Sequence, residues 1–283
     1  MENLFPNKAR NQGSANKVSG FLFLPKTVEY QVDKENKNKG TITITPCYPG
    51  YGTTLATSLR RVLLSSLEGA ALDAVKIKGV KHEFSTISEV KEDVLEIVLN
   101  LKAVRLKFLS EVKEPLELEL KAEGEGTVKA GDISKRPEIE IVNPELVIAN
   151  LTDKKANLQM KLWATKGYGW ISTEEKIREN REEGTIIIDS IFGPVLRVSP
   201  NIENVRVGKR NDYEKLSLTI EVDGTLSPLE AFIKAARLLN GEFVFLKNEG
   251  AKLIEKEKPV KKKAIKKINK KVTKTRKIRK KKL

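Results

Sequence analysis

The sequence predicts an α+β fold in which both ends of the chain build one domain and a β-rich domain is inserted between them. Two strongly apolar helical segments lie near opposite ends of the body. The stretch 103–226 between them consists mostly of short β-branched runs separated by Gly and Pro, which is typical of strands. A lysine-rich segment follows the second helix, and we expect it to be disordered.

The composition fits a globular protein and excludes several kinds of chemistry. A length of 283 residues allows two domains and a tail, and a hydrophobic content of 39% is enough for a packed core. With one cysteine (Cys47) and one histidine (His82), neither an intrachain disulfide nor a Cys/His zinc cluster can form. There is no phosphate-binding glycine loop. We expect no metal and no cofactor, a structural role for His82, and no self-contained active site, although a carboxylate-based site stays open.

The positive charge is concentrated in the last 26 residues. The formal net charge is +15, from 53 Lys and Arg against 38 Asp and Glu. Residues 258–283 hold 15 of the basic residues and no acidic one, so the rest of the chain is neutral. No apolar run approaches the roughly 18 residues of a membrane span. Residues 1–17 form a polar, flexible arm without a secretory h-region. We therefore expect a cytoplasmic protein without membrane contact.

The first elements are a hairpin and a helix. Residues 18–46 have strand character, and 33–40 form the hairpin loop. Residues 50–69 predict a helix that Gly69 ends. Its apolar side chains fall in one arc about 160° wide, and Arg61 points away from that arc. The arc contains Tyr51, Leu55, Ala56, Leu59, Val62, Leu63 and Leu67.

The middle of the chain is predicted to be mainly strands. Residues 71–80 form a strand, and Thr86 with Glu89 forms a capping box before a helix that carries Val90 to Leu101. Further strands are expected at 116–120, 138–142, 146–149, 185–188 and 216–222, with a loop or short helix at 173–183. A second apolar helix begins at Ser227-Pro228-Leu229-Glu230, and Asn240-Gly241 weakens its second half.

Several motifs occur in an order that resembles a known family. They are GYGTTL (50–55), SLRRVLLSS (58–66), VKIKGVKHEFST (75–86), VKEDVLEIVLNLK (90–102), VIANL (147–151), KGYGW (166–170), VRVG (205–208) and DGTLSP (223–228). Together they resemble the bacterial RNA polymerase alpha subunit over residues 18–246. The resemblance implies a homodimer that serves as the platform for the beta and beta-prime catalytic subunits, without a polymerase active site of its own. It also implies DNA as a partner of the assembled enzyme.

The resemblance places the domain boundaries. The dimerisation domain would comprise 18–68 and 194–247, the inserted β-rich domain 69–193, and the basic tail 248–283. Bacterial members carry a helical, DNA-binding C-terminal module, for which the 37 residues after Leu246 are too few. This departure from the family puts promoter recognition by that route in doubt and leaves open whether another protein supplies the module.

The resemblance also implies contact residues. Arg61 corresponds to a position that contacts beta, and its direction away from the apolar arc supports a partner role over plain solvation. Lys102 and Glu96 match other positions in contact with the large subunits. Ile188 and Val195 match positions at a beta-prime contact, with core packing as the equal alternative.

Dimer contacts are expected from the two apolar helices, which also pack on their own sheet. The candidates are Tyr51, Leu55, Leu59, Val62, Leu63, Leu229, Phe232, Ile233, Ala236 and Leu239.

The tail suggests sequence-independent attraction to nucleic acid. The residues expected to carry it are Lys261, Lys262, Lys263, Lys266, Lys267, Arg276 and Arg279. A solubilising tail is the alternative. We interpret the chain as an alpha-type scaffold of a bacterial cytoplasm, with a plastid as the other setting. The rival functions are a basic ribosome- or nucleoid-associated protein, favoured only by the tail, and a free-standing enzyme.

Overall fold

The computed structural model describes residues 24–111, 115–176 and 182–279, with side chains as far as Ile254. The strands are β1 (Thr27–Val32), β2 (Lys39–Cys47), β3 (Glu68–Ile77), β4 (Leu106–Phe108), β5 (Leu116–Glu123), β6 (Gly126–Lys129), β7 (Ile139–Ile141), β8 (Val147–Leu151), β9 (Asn157–Tyr168), β10 (Trp170–Ile171), β11 (Ile186–Ile187), β12 (Ser190–Ile191), β13 (Val195–Val207) and β14 (Arg210–Val222). The helices are α1 (Tyr51–Ser65), α2 (Val94–Lys102) and α3 (Pro228–Arg279), with a 3₁₀ turn at Ala130–Asp132. The α+β class predicted from the sequence is confirmed.

Two main sheets organise these elements. The first is antiparallel in the order β1-β2-β14-β13, so it joins segments from the beginning and the end of the described chain. Helix α1 packs on β13 and β14. The second has six strands in the order β5-β9-β3-β4-β7, with β11 also paired to β3. Two short ribbons, β6-β8 and β10-β12, complete the pairing.

The main hydrophobic core lies on the six-stranded sheet. Alternation in β5 turns Leu116, Leu118 and Leu120 inward, while α2 contributes Val94, Ile97 and Leu101. Burial of this kind stabilises a fold by roughly 25 cal/mol per Å² of apolar surface. This core therefore fixes where α2 lies against β3 and β8.

Helix α2 begins later than the capping-box pattern predicts. Asp93 is its N-cap, with Oδ1 accepting the backbone N–H of Glu96 at 2.7 Å, whereas Glu89 has a φ of 66° in a turn. Glu92, beside the cap, accepts the backbone and side-chain N–H groups of Asn150 at 2.6 and 2.7 Å. Burial alone would raise the pKa of Glu92, but these hydrogen bonds from Asn150 outweigh it, so the pKa lies below its usual value.

Gly69 does not end α1. The helix ends at Ser65, and Gly69 lies in β3. An ideal Cβ on Gly69 would stand 1.8 Å from the carbonyl oxygen of Phe192, so the position requires glycine because of close packing. The prediction that Gly69 stops the helix was therefore wrong in both the position of the helix end and the role of the glycine.

Helix α3 starts as predicted and extends further. Ser227 and Glu230 form the capping box, with Ser227 Oγ accepting the N–H of Glu230 at 3.2 Å and the Glu230 carboxylate accepting the N–H of Ser227 at 2.9 Å. The helix continues through Asn240-Gly241. Its backbone is helical as far as Arg279, where the sequence predicted disorder; lysine is a good helix former, which favours this result.

The chain divides into two units, residues 1–235 and 236–283. Residues 177–181, part of the predicted 173–183 loop, lie outside the described chain, as does the predicted arm 1–17. Within the described part, no helix combines the length and the apolar character that crossing a membrane requires.

Candidate subunit-contact surface

The start of α1 is fixed by a carboxylate of β14 that is distant in sequence, although its residue pairs with Cys47 at the end of β2. Glu214 in β14 accepts the backbone N–H of Gly50 on Oε1 and that of Gly52 on Oε2, both at 2.8 Å. Gly50 has a φ of 83°, and an ideal Cβ on Gly52 would lie 2.5 Å from Oε2. A carboxylate at a helix N-terminus satisfies free N–H groups and complements the helix dipole. Gly52 therefore makes room for Glu214, whereas Gly50 supplies the left-handed backbone that precedes the helix.

Helix α1 has one face in the core and one in solvent. Gly52, Ala56, Leu59 and Leu63 are buried against the sheet. At 100° per residue, Arg61 lies nearly opposite the centre of that face, and its side chain is exposed. No partner for its guanidinium group occurs among the described residues.

The neighbouring Arg60 differs from Arg61. Its Nη1 donates to the carbonyl oxygen of Val198 at 2.8 Å, which ties α1 to β13. Of the two adjacent arginines, the first therefore serves the protomer and the second leaves its charge free at the surface.

The C-terminal end of α2 is joined by an ion pair to β12 and the turn before it. Lys102 Nζ lies 3.0 Å from Asp189 Oδ2, with exposed side-chain fractions of 26% and 32%. Asp189 Oδ1 also accepts the backbone N–H of Thr173 at 2.9 Å. The hydrogen bonds from Lys102 and Thr173 hold the pKa of Asp189 below its usual value. Asp189 therefore stays ionised between two donors.

A second, buried ion pair holds the residues just before and at the start of β12. Lys176 Nζ lies 2.7 Å from Asp73 Oδ1, and both side chains are less than a tenth exposed. The ammonium group also donates to the carbonyl oxygen of Ile188 and, at 2.9 Å, to Ser190 Oγ. Ser190 in turn donates to the carbonyl oxygen of Leu72 at 3.0 Å. The buried charge is thus paired and hydrogen-bonded, as a stable buried ion pair requires.

The candidate metal ligands do not cluster in the described part of the chain. No group of three or more His, Cys, Asp or Glu side chains there is arranged to hold a metal ion. His82 is exposed, and its Nδ1 lies 3.2 Å from Ser85 Oγ.

Comparison with known proteins decides the family. Residues 75–193 match the family model described as RNA polymerase Rpb3/RpoA insert domain. The DNA-directed RNA polymerase subunit alpha of Oceanobacillus iheyensis is 44% identical over 82% of this chain and 74% of the relative. The subunits of that name from Leptospira biflexa and Carboxydothermus hydrogenoformans are also 44% identical, over 79% and 74% of this chain and 69% and 66% of theirs.

The chain belongs to the bacterial RNA polymerase alpha-subunit family. The resemblance carried by the motifs is thereby confirmed. Within this family, the residues predicted to make contacts divide into exposed and buried sets.

Two predicted beta-prime contacts are core residues. Ile188 is 1% exposed within the core of the six-stranded sheet, and Val195 at the start of β13 is 7% exposed. Their burial favours core packing, the alternative given above. Of the other two candidates, Glu96 is exposed and Lys102 is half-buried in its ion pair with Asp189.

The predicted dimer residues divide in the same way. Leu59 and Leu63 are 4% and 0% exposed inside the protomer, so they serve the core and not a surface. The remaining α1 candidates reach solvent, Tyr51 at 43% exposure and Leu55 and Val62 partly. On α3, Leu229 and Ile233 are exposed, and Phe232, Ala236 and Leu239 are half-buried.

An exposed apolar segment of α3 was missed by the sequence analysis. Phe243, Val244, Phe245 and Leu246 of α3 are 42–61% exposed, and Leu253 and Ile254 are exposed as well. Four consecutive apolar residues cover every side of a helix, a pattern typical of helices that are enclosed by other structure. That run of four could have been recognised in the sequence. The tail residues predicted to bind nucleic acid lie beyond the described side chains.

Proposed function

We propose that this chain is the assembly scaffold of a bacterial-type RNA polymerase: it forms a homodimer on which the beta and beta-prime subunits assemble. The observation that carries the proposal is the exposed apolar segment of α3, residues 243–246, in a chain of the alpha-subunit family. Exposed phenylalanines in such number favour a protein interface over a free surface.

A second copy of the chain is the proposed occupant of that segment. The relatives from the three bacteria above carry the name of one subunit type, and a symmetric pair lets one patch serve both copies. The exposed flank of α1, with Tyr51, Leu55 and Val62, offers a further apolar surface for the same purpose. Association of such surfaces is driven by removing apolar area from water.

Arg61 is the proposed contact with the beta subunit. Its side chain faces away from the core and has no partner in the described structure, while α1 itself is held at its start by Glu214 and along its length by Arg60. A rigidly mounted guanidinium group can make bidentate contacts at low entropic cost. Glu96, exposed on α2, is proposed as a second contact with the large subunits.

The proposed domain division follows the sheets. The four-stranded sheet with α1 and the start of α3 would form the dimerisation domain (18–68 and 194–247), and the six-stranded sheet the inserted domain (69–193). The sheet membership and the family match over 75–193 support this division.

The chain is proposed to act without an active site of its own, in the cytoplasm, with DNA as a partner of the assembled enzyme. The charge of residues 258–283 supports non-specific attraction of the tail to nucleic acid. The absence of an active site, the cytoplasmic location and the DNA partner are proposed from the family, and the role of the tail is proposed from the sequence.

Co-purification with the large subunits tests the scaffold. Tagged wild-type chain, Arg61→Ala and the control Arg136→Ala, which truncates an exposed arginine of the other sheet region, would be co-expressed with beta and beta-prime subunits. We expect Arg61→Ala to recover less beta and Arg136→Ala to match the wild type. Equal recovery by all three chains would contradict the role of Arg61.

Dimerisation is tested by light scattering. Phe243→Asp places a charge in the exposed apolar segment, and Phe84→Asp does so at a loop phenylalanine that is 76% exposed. We expect the first variant to be a monomer and the second a dimer. A dimer in both would show that α3 is not the interface.

A further inference from the structure

We propose that Lys102 supports assembly as a positioning residue that, through Asp189, holds the turn 172–176, and not as a direct contact with a large subunit. The proposal rests on the function proposed above, because the turn matters for assembly only if this region meets a partner. Its evidence is the set of contacts that join α2, the turn and the β10-β12 ribbon.

The ammonium group of Lys102 is directed into the protomer. Its Nζ donates to Asp189 Oδ2 at 3.0 Å, and about three quarters of the side chain is buried. A partner that drew the ammonium group away would leave this carboxylate with a single donor, the N–H of Thr173. Arg61, by comparison, is exposed and has no partner among the described residues, so the two basic residues are not equivalent.

Asp189 carries the effect of Lys102 to the turn. Its second oxygen accepts the N–H of Thr173 at 2.9 Å, so one carboxylate joins the end of α2 to the first residues after β10. The pKa of Asp189 is held below its usual value by these same donors, so the link is ionised at neutral pH. Loss of Lys102 therefore leaves Asp189 free to turn away from Thr173.

The turn has a surface to present. Trp170 of β10 is 57% exposed and pairs across the ribbon with Ile191, which is 37% exposed. Thr173, Glu174 and Glu175 follow in the exposed part of the turn. The buried Lys176–Asp73 pair fixes the other end of this segment. Two ion pairs thus hold this segment: the partly exposed pair of Lys102 and Asp189 and the buried pair of Lys176 and Asp73.

The test compares both partners of the pair. Lys102→Ala, Asp189→Asn and the double variant would be made with two controls: Lys102→Arg, which keeps the charge, and Lys155→Ala, an exposed lysine in the turn between β8 and β9. We expect each single variant to lower recovery of the large subunits about fivefold, as for loss of one ion pair. We expect the double variant to lose no more than the singles, and both controls to retain recovery. A loss in Lys102→Ala with full recovery in Asp189→Asn would overturn the proposal.

A second measurement is independent of assembly. Hydrogen exchange of the Thr173 amide in the isolated chain should be about fivefold faster in both Lys102→Ala and Asp189→Asn, because both loosen its acceptor. Unchanged exchange in Lys102→Ala would refute positioning even if assembly were impaired. The wild-type chain could recover no large subunit while both variants still show faster exchange of the Thr173 amide. The proposed function would then fail, but the positioning of the turn 172–176 by Lys102 and Asp189 would be supported.

Discussion

Replacing Glu214 is the most direct test of how α1 is held. Glu214→Ala removes the acceptor of two backbone N–H groups at the start of the helix, those of Gly50 and Gly52. The Gly50 donor is exposed and regains water, so its loss is small. Gly52 is buried, and an unpaired buried donor costs about 1–3 kcal/mol, to which loss of the helix cap adds about 1 kcal/mol.

We therefore expect Glu214→Ala to lower the free energy of unfolding by about 3 kcal/mol. For a chain of this size that corresponds to a fall of roughly 6 °C in the melting temperature. Glu214→Gln keeps one acceptor oxygen, which can face the Gly52 N–H, so about 1 kcal/mol should be lost.

The assay is thermal unfolding followed by circular dichroism at one fixed protein concentration, because dimerisation would otherwise shift the melting temperature. Glu203→Ala is the matched control: it removes an exposed glutamate of β13 whose pair with Lys215, at 3.5 Å, contributes little. A melting temperature of Glu214→Ala within 1 °C of the control would refute the capping role of Glu214.

Three other predictions follow from the structure. The pKa of Glu92 in the folded chain lies below its usual value. Its carboxylate therefore stabilises the fold above the unfolded pKa of about 4.3, and this stability is lost as the pH falls through the folded pKa. Glu92→Gln should flatten the decline of the free energy of unfolding, measured in urea from pH 6 to 3, and an unchanged decline would contradict this prediction. Gly69→Ala forces the backbone of β3 away from Phe192 and should lower the free energy of unfolding in urea by more than about 2 kcal/mol. The control Gly126→Ala, with nothing within 4 Å of an added Cβ, should be tolerated. Equal stability of the two variants would contradict this prediction. A chain ending at Glu257 should lose most of its affinity for DNA, measured by fluorescence anisotropy. If about ten charges of the tail meet phosphates, the full chain should show a slope of log affinity against log salt on the order of −9. Equal binding by both chains would exclude the tail as a nucleic-acid-binding segment.

Local patterns in the sequence predicted that the three helices exist, although not all of their ends. The apolar period of α1 predicted the outward direction of Arg61, since a helix repeats every 3.6 residues whatever its surroundings, but only Ala56, Leu59 and Leu63 of the predicted arc are buried within the helix. The capping box of α3 was correct for the same reason, because Ser227 and Glu230 interact with each other and need no distant partner.

The contacts that mount the candidate site could not be found from local patterns. Glu214 meets Gly52 across 162 residues of sequence, and Lys102 meets Asp189 across 87. Gly69 fitted the rule for a helix stop, but the packing of Phe192 against β3 sets its requirement. The family resemblance implied a contact at Ile188 and Val195, yet it contains no information on burial, and both are buried in the protomer.

The composition of the assembled complex tests the central claim most directly. Native mass spectrometry of the complex recovered with the tagged 31.7-kDa chain would count its subunits. The account predicts two copies of this chain with one beta and one beta-prime subunit. A complex that contains a single copy of the chain, or large subunits that assemble fully without it, would contradict the account.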